Sequence, residues 1–385
     1  MKNIKSKLPY VTHHIFSEMS ALATRYNAIN LSQGFPNFEP SQELLDLVGI
    51  CLNDKSMPLV NQYAPIAGLP FLREKIAEKV HSSYGIEVDW DKEVTITVGA
   101  TEGISATISA FVWPGEEVIL IEPCYDSYKP AVDTVGGKTV IYTMKSPDFK
   151  IDWDEFAKLI TAKTRMICIS TPNNPTGTIM QEEDMLKLSQ LVHGTDIIIM
   201  SDEVYEHMVF DGKTHESPLK YDALRERTVS VFSFGKTYHI TGWKVGYCIA
   251  APELTVEIRK VHQNSVFSVS HPLQKALAKY MDISDDHLKL PEFYQKKRDL
   301  FSEAVKGSRF KLLPCAGSYF QLFDYSDISN ENDYDFCVRL IQEHGVAAIP
   351  VSRLYTDFKD DHLIRLCFAK TDETLLKAAA LLKEV

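Results

Sequence analysis

Apolar and polar positions follow two rhythms along this chain, one helical and one of buried strands. Ile15, Met19, Leu22 and Ala23 recur at helical spacing, so residues 1 to about 30 read as an arm followed by a helix. Ile29-Asn-Leu31 reads as a short strand, and Ser32-Gln-Gly-Phe-Pro-Asn37 as a turn-rich loop. Ser41 is placed to cap a helix over about 43–52. An irregular loop through Asn61-Gln-Tyr-Ala-Pro65 and Gly68-Leu-Pro70 precedes a helix over about 71–84. From residue 93 onward, runs of Val and Ile predict strands at 94–98, 117–121, 138–142, 165–170 and 197–201. Stretches between them predict helices at 99–111, 154–160 and 182–192. Apolar runs at Val229, Val231, Phe232 and from Val245 to Ala250 add two more buried strands. Strands alternating with amphipathic helices argue for an α/β fold with a mostly parallel sheet covered on both faces.

The texture changes after about residue 280. Asp282 to Pro291 is acidic and polar, and a domain boundary falls best near Asp282 to Lys289. Beyond it, a helix is predicted over 292–305, antiparallel strands within 310–323 and a helix over 335–344. Strands at 346–350 and 362–368 and a closing helix over 373–384 complete the chain.

Composition narrows the function. The chain has 385 residues, 45% hydrophobic and 24% charged, which is ordinary for a globular protein of two domains. Its net charge of -11 argues against nucleic acid, which selects basic faces. No apolar run reaches the length of a membrane span. Met1 to Tyr10 carries basic residues without an apolar segment, so no secretory signal is expected. Seven cysteines are scattered with no Cys-x-x-Cys pair, and several sit in apolar runs such as Met166-Ile-Cys-Ile169. They read as reduced, buried thiols of a cytoplasmic protein, not as a disulfide or metal framework.

The candidate chemistry lies at predicted strand ends, where open α/β sheets collect ligands. Between the strands ending near Phe232 and starting near Val245 lies a polar loop with Ser233, Gly235, Lys236, Thr241, Gly242 and Lys244. Gly235 lets a flat ligand approach the backbone. Burial lowers the pKa of a lysine such as Lys236, the state needed to attack a carbonyl and form a Schiff base. Ser233 and Lys244 suit a phosphate. Gly99-Ala100-Thr101 opens a helix whose free N–H groups favour an anion, although the same residues make a plain tight turn. Asn174, before Pro175-Thr-Gly177, offers an amide to a ring oxygen but is equally a turn residue. Asp202 ends the apolar run from Ile197 and needs a partner, either a protonated ring nitrogen or a helix end to cap. Tyr205 follows three residues later, in reach of a ring oxygen.

In combination these motifs are specific. Asn174-Pro-Thr-Gly, Asp202-Glu-Val-Tyr205, Ser233-Phe-Gly-Lys236 and Gly242-Trp-Lys244-Val-Gly246 occur in that order. The chain resembles the pyridoxal-phosphate enzymes of the aspartate-aminotransferase fold family, class I/II branch, over nearly its whole length. Gln33-Gly-Phe-Pro36, Asn61-Gln-Tyr63, Glu122-Pro and Ile364-Arg-Leu366 also fit. Within that branch it is most similar to bacterial methionine aminotransferases and kynurenine–oxoglutarate aminotransferases. The resemblance implies a large cofactor-binding domain over 46–284 and a small α+β domain built from 1–45, with the arm, and 285–385. It implies that Lys236 tethers pyridoxal 5'-phosphate and shuttles a proton between Cα and C4′. Asp202 would keep the ring nitrogen protonated, and Asn174 and Tyr205 would bond the ring oxygen. Tyr125 would stack on the ring, and Ala100, Thr101, Ser233 and Lys244 would hold the phosphate. Tyr63 would reach the phosphate of a neighbouring subunit, which implies a homodimer with shared sites. Arg365 would grip the substrate carboxylate with its planar fork, close to Gly34. Many relatives carry arginine where Lys244 stands, and lysine is common in the subgroup. It exchanges a bidentate grip for a point charge.

Substrate choice rests on less. Phe16 sits where relatives place an aromatic at the side-chain pocket, and it is equally an anchor of the arm; Tyr10 and His13 are further candidates. An aromatic pocket favours methionine, phenylalanine, tyrosine, kynurenine or glutamine over aspartate. The expected reaction is ping-pong transamination with a 2-oxo acid acceptor. A carbon–sulfur β-lyase on the same scaffold is the rival enzyme. A pyridoxal-phosphate-binding transcription regulator is the rival non-enzyme, and it would need a DNA-binding domain ahead of a fold that here begins by about residue 15.

Overall fold

The computed structural model describes residues 4–11, 14–55 and 59–385. Its large sheet has seven strands. In chain order these are β1 (Val94–Thr97), β2 (Glu117–Glu122), β3 (Lys138–Thr143), β4 (Thr164–Ser170), β5 (Ile198–Asp202), β6 (Thr228–Ser233) and β7 (Gly246–Ala250). They lie side by side as β1-β7-β6-β5-β4-β2-β3. β3, β2, β4, β5 and β6 pair in parallel, and β7 runs antiparallel to both β6 and β1. The central strands are buried end to end because helices cover both faces. Val118 and Leu120 of β2 pack with the helices Gly99–Phe111 and Tyr128–Val135. Ile119 and Ile121, one residue out of phase, pack on the other face with the helix Glu182–Val192. The chain leaves β2 for β3 on one side and returns to β4 on the other. A crevice therefore opens outside the carboxyl ends of β2 and β4.

A second, antiparallel sheet orders Ile349–Pro350, Leu363–Cys367, Phe320–Asp324 and Lys311–Leu312. Its apolar core takes Ile15, Met19 and Leu31 from the N-terminal segment together with Tyr294, Phe323 and Leu366. Leu277 and Tyr280, by contrast, pack under the large sheet. All seven cysteines are free and buried, as expected from their apolar settings. Among the described residues no helix is long and apolar enough to cross a membrane.

Several elements differ from expectation. Ser41 occupies the N-cap of the helix Gln42–Leu52, yet its side chain accepts no bond from it. The helix expected over 154–160 is only Trp153–Ala157, held by the Asp152 carboxylate at its start. At the polar run 282–291, where the domain boundary was expected, the helix His271–Ile283 ends and the helix Asp286–Ala304 begins almost at once. The strand expected over 346–350 splits in two, Val346–Ala347 pairing with Ile29–Asn30 and Ile349–Pro350 joining the small sheet. The helices Tyr128–Val135, Pro252–Ser265 and His271–Ile283 were not foreseen.

Candidate active site

Each strand of the large sheet that points toward the crevice ends on a polar side chain. β5 ends on Asp202, β6 on Ser233, and β4 on Ser170, four residues before Asn174. The short helix Phe234–Thr237 after β6 carries Lys236. Ala100 and Thr101 stand at the start of the helix Gly99–Phe111, where no side chain caps the free N–H groups. Arg365 arrives from the middle of the small sheet. Together they line one cavity of about 260 Å³, with Phe16, Gly34, Tyr125, Tyr205 and Lys244.

At one end of this cavity the chain builds a cradle for an anion. Gly99 adopts φ +68°, and Lys244, just before β7, adopts φ +54°. A Cβ on Gly99 would lie 3.4 Å from the Lys244 ammonium nitrogen. A Cβ on Gly246 would lie 2.9 Å from the Ala100 nitrogen, so only glycine lets β7 approach the helix start this closely. Two backbone N–H groups, the Ser233 hydroxyl and the Lys244 cation thus share one corner, a donor set that fits a phosphate.

The centre is a lysine and a carboxylate taken out of water. Lys236 Nζ donates to Gly34 O at 3.0 Å and to Tyr319 Oη at 2.8 Å. Burial pushes its pKa down to about 8, so a sizeable neutral fraction exists near neutral pH. Asp202 is 5% exposed and accepts from Tyr128 Oη at 2.5 Å and from Val204 N at 3.3 Å. Burial raises its pKa, and the Tyr128 hydrogen bond works against that rise. Such a carboxylate favours a cationic partner in the cavity. Tyr205 is buried and held firmly as a neutral phenol.

At the far end Arg365 is 1% exposed. Its Nη1 donates to Asn174 Oδ1 at 2.7 Å and its Nη2 to Ser32 O at 2.7 Å. Nε has no partner. The guanidinium lies 3.9 Å from the Phe320 ring centre and 4.9 Å from that of Phe16. Burial lowers its pKa to about 10, which leaves it charged at neutral pH. A buried, charged guanidinium with a donor to spare is a carboxylate receptor. The adjoining loop is pinned from below, where Lys370 Nζ donates to Phe35 O at 2.7 Å and Gln33 O at 3.3 Å. Gly34 in that loop has no room for a side chain, since a Cβ would come within 2.7 Å of the Phe320 ring. Gly34→Ala therefore displaces Phe320 from Arg365. The expected result is a KM for amino acid raised at least about tenfold, matching the roughly 1–3 kcal/mol cost of overpacking, with cofactor binding retained; steady-state kinetics beside an absorbance titration checks both.

Of the residues expected to contact cofactor or substrate, all but Tyr63, Tyr10 and His13 line this cavity. Tyr63 is 80% exposed and packs edge-on against Phe267 at 5.0 Å, outside the cavity of its own chain. Tyr10 is corrected: its hydroxyl bonds Asp133 and its ring lies under Lys129, which draws it onto the helix Tyr128–Val135 and away from the pocket. His13 lies outside the described residues. Phe16 serves the site by covering Arg365. Three contributors went unnoticed in the sequence: Tyr128, Tyr319 and Phe320.

A cradle that fits a phosphate, a buried amine and a buried carboxylate thus share one cavity at the crevice of an α/β sheet, where such folds bind ligands. The family model for aminotransferase class I and II matches residues 26–382. Methionine aminotransferase of Escherichia coli (strain K12) is 48% identical over 382 residues, covering 99% of this chain and 98% of the relative. Kynurenine–oxoglutarate transaminase 1 of Mus musculus is 32% identical, covering 96% of this chain and 94% of the relative. The solved structure of YbdL from Escherichia coli, whose reactivity identified a methionine aminotransferase function, superposes with a TM-score of 0.96 at 47% identity, covering 100% of both chains. The chain belongs to the class I and II aminotransferases, a pyridoxal-phosphate-dependent family, and has the aspartate-aminotransferase-like fold.

Proposed function

We propose that this aminotransferase moves the amino group of methionine and of aromatic amino acids to a 2-oxo acid, with pyridoxal 5'-phosphate held in the cavity and tethered by Lys236. The observation that carries this reading is the convergence of Lys236, Asp202 and Arg365 on one cavity. The likeness to methionine aminotransferase and to kynurenine–oxoglutarate transaminase supports the substrate class. So do the aromatic walls Phe16, Tyr125 and Phe320.

Pyridoxal phosphate, when bound, supplies the carbonyl that takes up the donor amino group and a ring that draws electrons from Cα. Ala100 N–H, Thr101, Ser233 and Lys244 would hold the phosphate. A carboxylate at Asp202 would keep a proton on the ring nitrogen, while Asn174 and Tyr205 would donate to the ring oxygen. Tyr125 would cover one ring face. Arg365 binds the substrate α-carboxylate beside Gly34, which orients Cα toward Lys236. Lys236 Nζ, neutral in part because it is buried, would serve as the base that carries the proton between Cα and the cofactor.

The second half of the site belongs to a partner subunit in this reading. Tyr63 is exposed beside Phe267, itself 45% exposed, and in a homodimer it would reach the neighbouring phosphate. Free, buried thiols suit the cytoplasm. The change of apolar core between Tyr280 and Leu290 supports a large domain over 46–284 and a small one from 1–45 and 285–385.

The test is a stopped-flow panel of amino acids that follows conversion of the cofactor to its amine form. Methionine, phenylalanine and kynurenine are expected to react with larger second-order rate constants than aspartate. Aspartate leading the panel would contradict the substrate assignment. Pyruvate released from a cysteine conjugate, without transfer to an oxo acid, would make the enzyme a β-lyase instead.

A further inference from the structure

Behind Lys236, away from the cavity, lies a phenol that the roles above leave unused. Tyr319 is fully buried. Its ring packs 5.0 Å from Tyr205, 5.6 Å from Tyr294 and 4.9 Å from Phe320, so its hydroxyl is fixed in place. That hydroxyl donates to Gly34 O. Lys236 Nζ donates to the same carbonyl at 3.0 Å and to the phenol oxygen at 2.8 Å. The three groups close a triangle.

Counting protons in that triangle shows what it does. Burial holds Tyr319 as a neutral phenol, with one proton to give. Gly34 O has two lone pairs and takes that proton bond as well as one from Lys236. Toward Lys236, then, both the carbonyl and the phenol are acceptors. A neutral amine has two N–H bonds and one lone pair. Both N–H bonds are occupied by the triangle, so the lone pair is left for the cavity. In the ammonium form the same two bonds persist and the third N–H is left over.

We propose that Tyr319 is a positioning residue for the proton-transferring lysine: with Gly34 O it occupies two N–H bonds of Lys236, so that the lone pair, or the proton just gained, faces the reacting atoms. The inference rests on the assignment of Lys236 as the cofactor lysine. It assigns the triangle to the stage of the reaction at which Lys236 is free of cofactor. Tyr205, proposed at the ring oxygen, packs edge-on against the ring of this phenol. The triangle thus joins three separate parts of the chain: the carboxylate-site loop at Gly34, the small sheet through Tyr319 and the helix after β6.

The charged and titratable groups around Lys236 are Asp202, Arg365, Lys244 and Cys367, with Tyr205 and Tyr319. Tyr319→Phe keeps the packed ring and removes the acceptor toward Lys236 together with the donor to Gly34 O. An acceptor favours the charged amine, so its loss lets burial depress the lysine further.

The experiment uses the full-length enzyme loaded with pyridoxamine 5'-phosphate, in which Lys236 carries no cofactor. Trace acetylation across a pH series, read by mass spectrometry at the Lys236 peptide, gives its titration midpoint. Tyr319→Phe is expected to lower that midpoint by about one unit, the size of one charge-assisted hydrogen bond. The pH profile of the amino-acid half-reaction should move the same way. A midpoint equal to or above that of the wild type overturns the proposal. Lys236→Ala, run alongside, separates the two readings. If that variant keeps the cofactor's visible band, the underlying lysine assignment is the one that fails. If the band is lost and the Tyr319→Phe midpoint has not fallen, only the role of Tyr319 fails.

Discussion

Lys236→Ala is expected to retain less than about one part in 10⁴ of the wild-type transamination rate, the upper range for removing a general acid–base group. The loss has two sources. The amine that would tether the cofactor is gone, so the visible band of the lysine-bound form disappears. The base that would carry the proton between Cα and C4′ is gone as well, so an external aldehyde still meets the amino acid but the hydrogen at Cα stays where it is. No neighbour can substitute. Lys244, the other cavity lysine, stands at the phosphate cradle beside Gly99. Absorbance spectra and single-turnover kinetics with methionine check the two losses independently.

Asp202→Asn is expected to slow the amino-acid half-reaction by about 10²–10³-fold, in line with removing one preorganised electrostatic group. The substitution conserves size and leaves an oxygen for Tyr128 and Val204, so the local fold persists. What it removes is charge. Asp202 sits in an environment that raises its pKa, and a cation beside it restores the ionised form. With asparagine there, nothing favours a proton on the ring nitrogen, and the ring becomes a weaker electron sink. Cofactor stays bound through the phosphate cradle and Lys236. The effect should therefore appear in the rate of Cα deprotonation and not in the stoichiometry of bound cofactor.

Much of the site was legible because its residues follow strands. Asp202 and Ser233 close runs of apolar residues whose burial on both faces is written in their composition, and Lys236 and Asn174 follow such runs within four residues. Sheet order then brings those ends together, as the alternation of strands and helices implies. What could not be read was contact across the chain. Tyr128 bonds Asp202 from 74 residues away, and Tyr319 bonds Lys236 across 83. Tyrosines in an apolar stretch carry no signal that one will hold a carboxylate and another a lysine. The helices Pro252–Ser265 and His271–Ile283 lie in a stretch with few turn residues to mark their ends. Asp286–Pro291 shows no helical apolar face in sequence because its one buried apolar member, Leu290, contacts a core assembled from residues 15–31 and the C-terminal segment. Tyr63 could not be placed at all by a single chain, since its proposed target is on a second one.

The account stands on the identity of one amine. Reducing the loaded enzyme with borohydride fixes the cofactor where it is attached, and peptide mass mapping then locates it. The expected result is cofactor mass on the peptide carrying Lys236 and on no other. Attachment at Lys244, at any other lysine, or nowhere would contradict it.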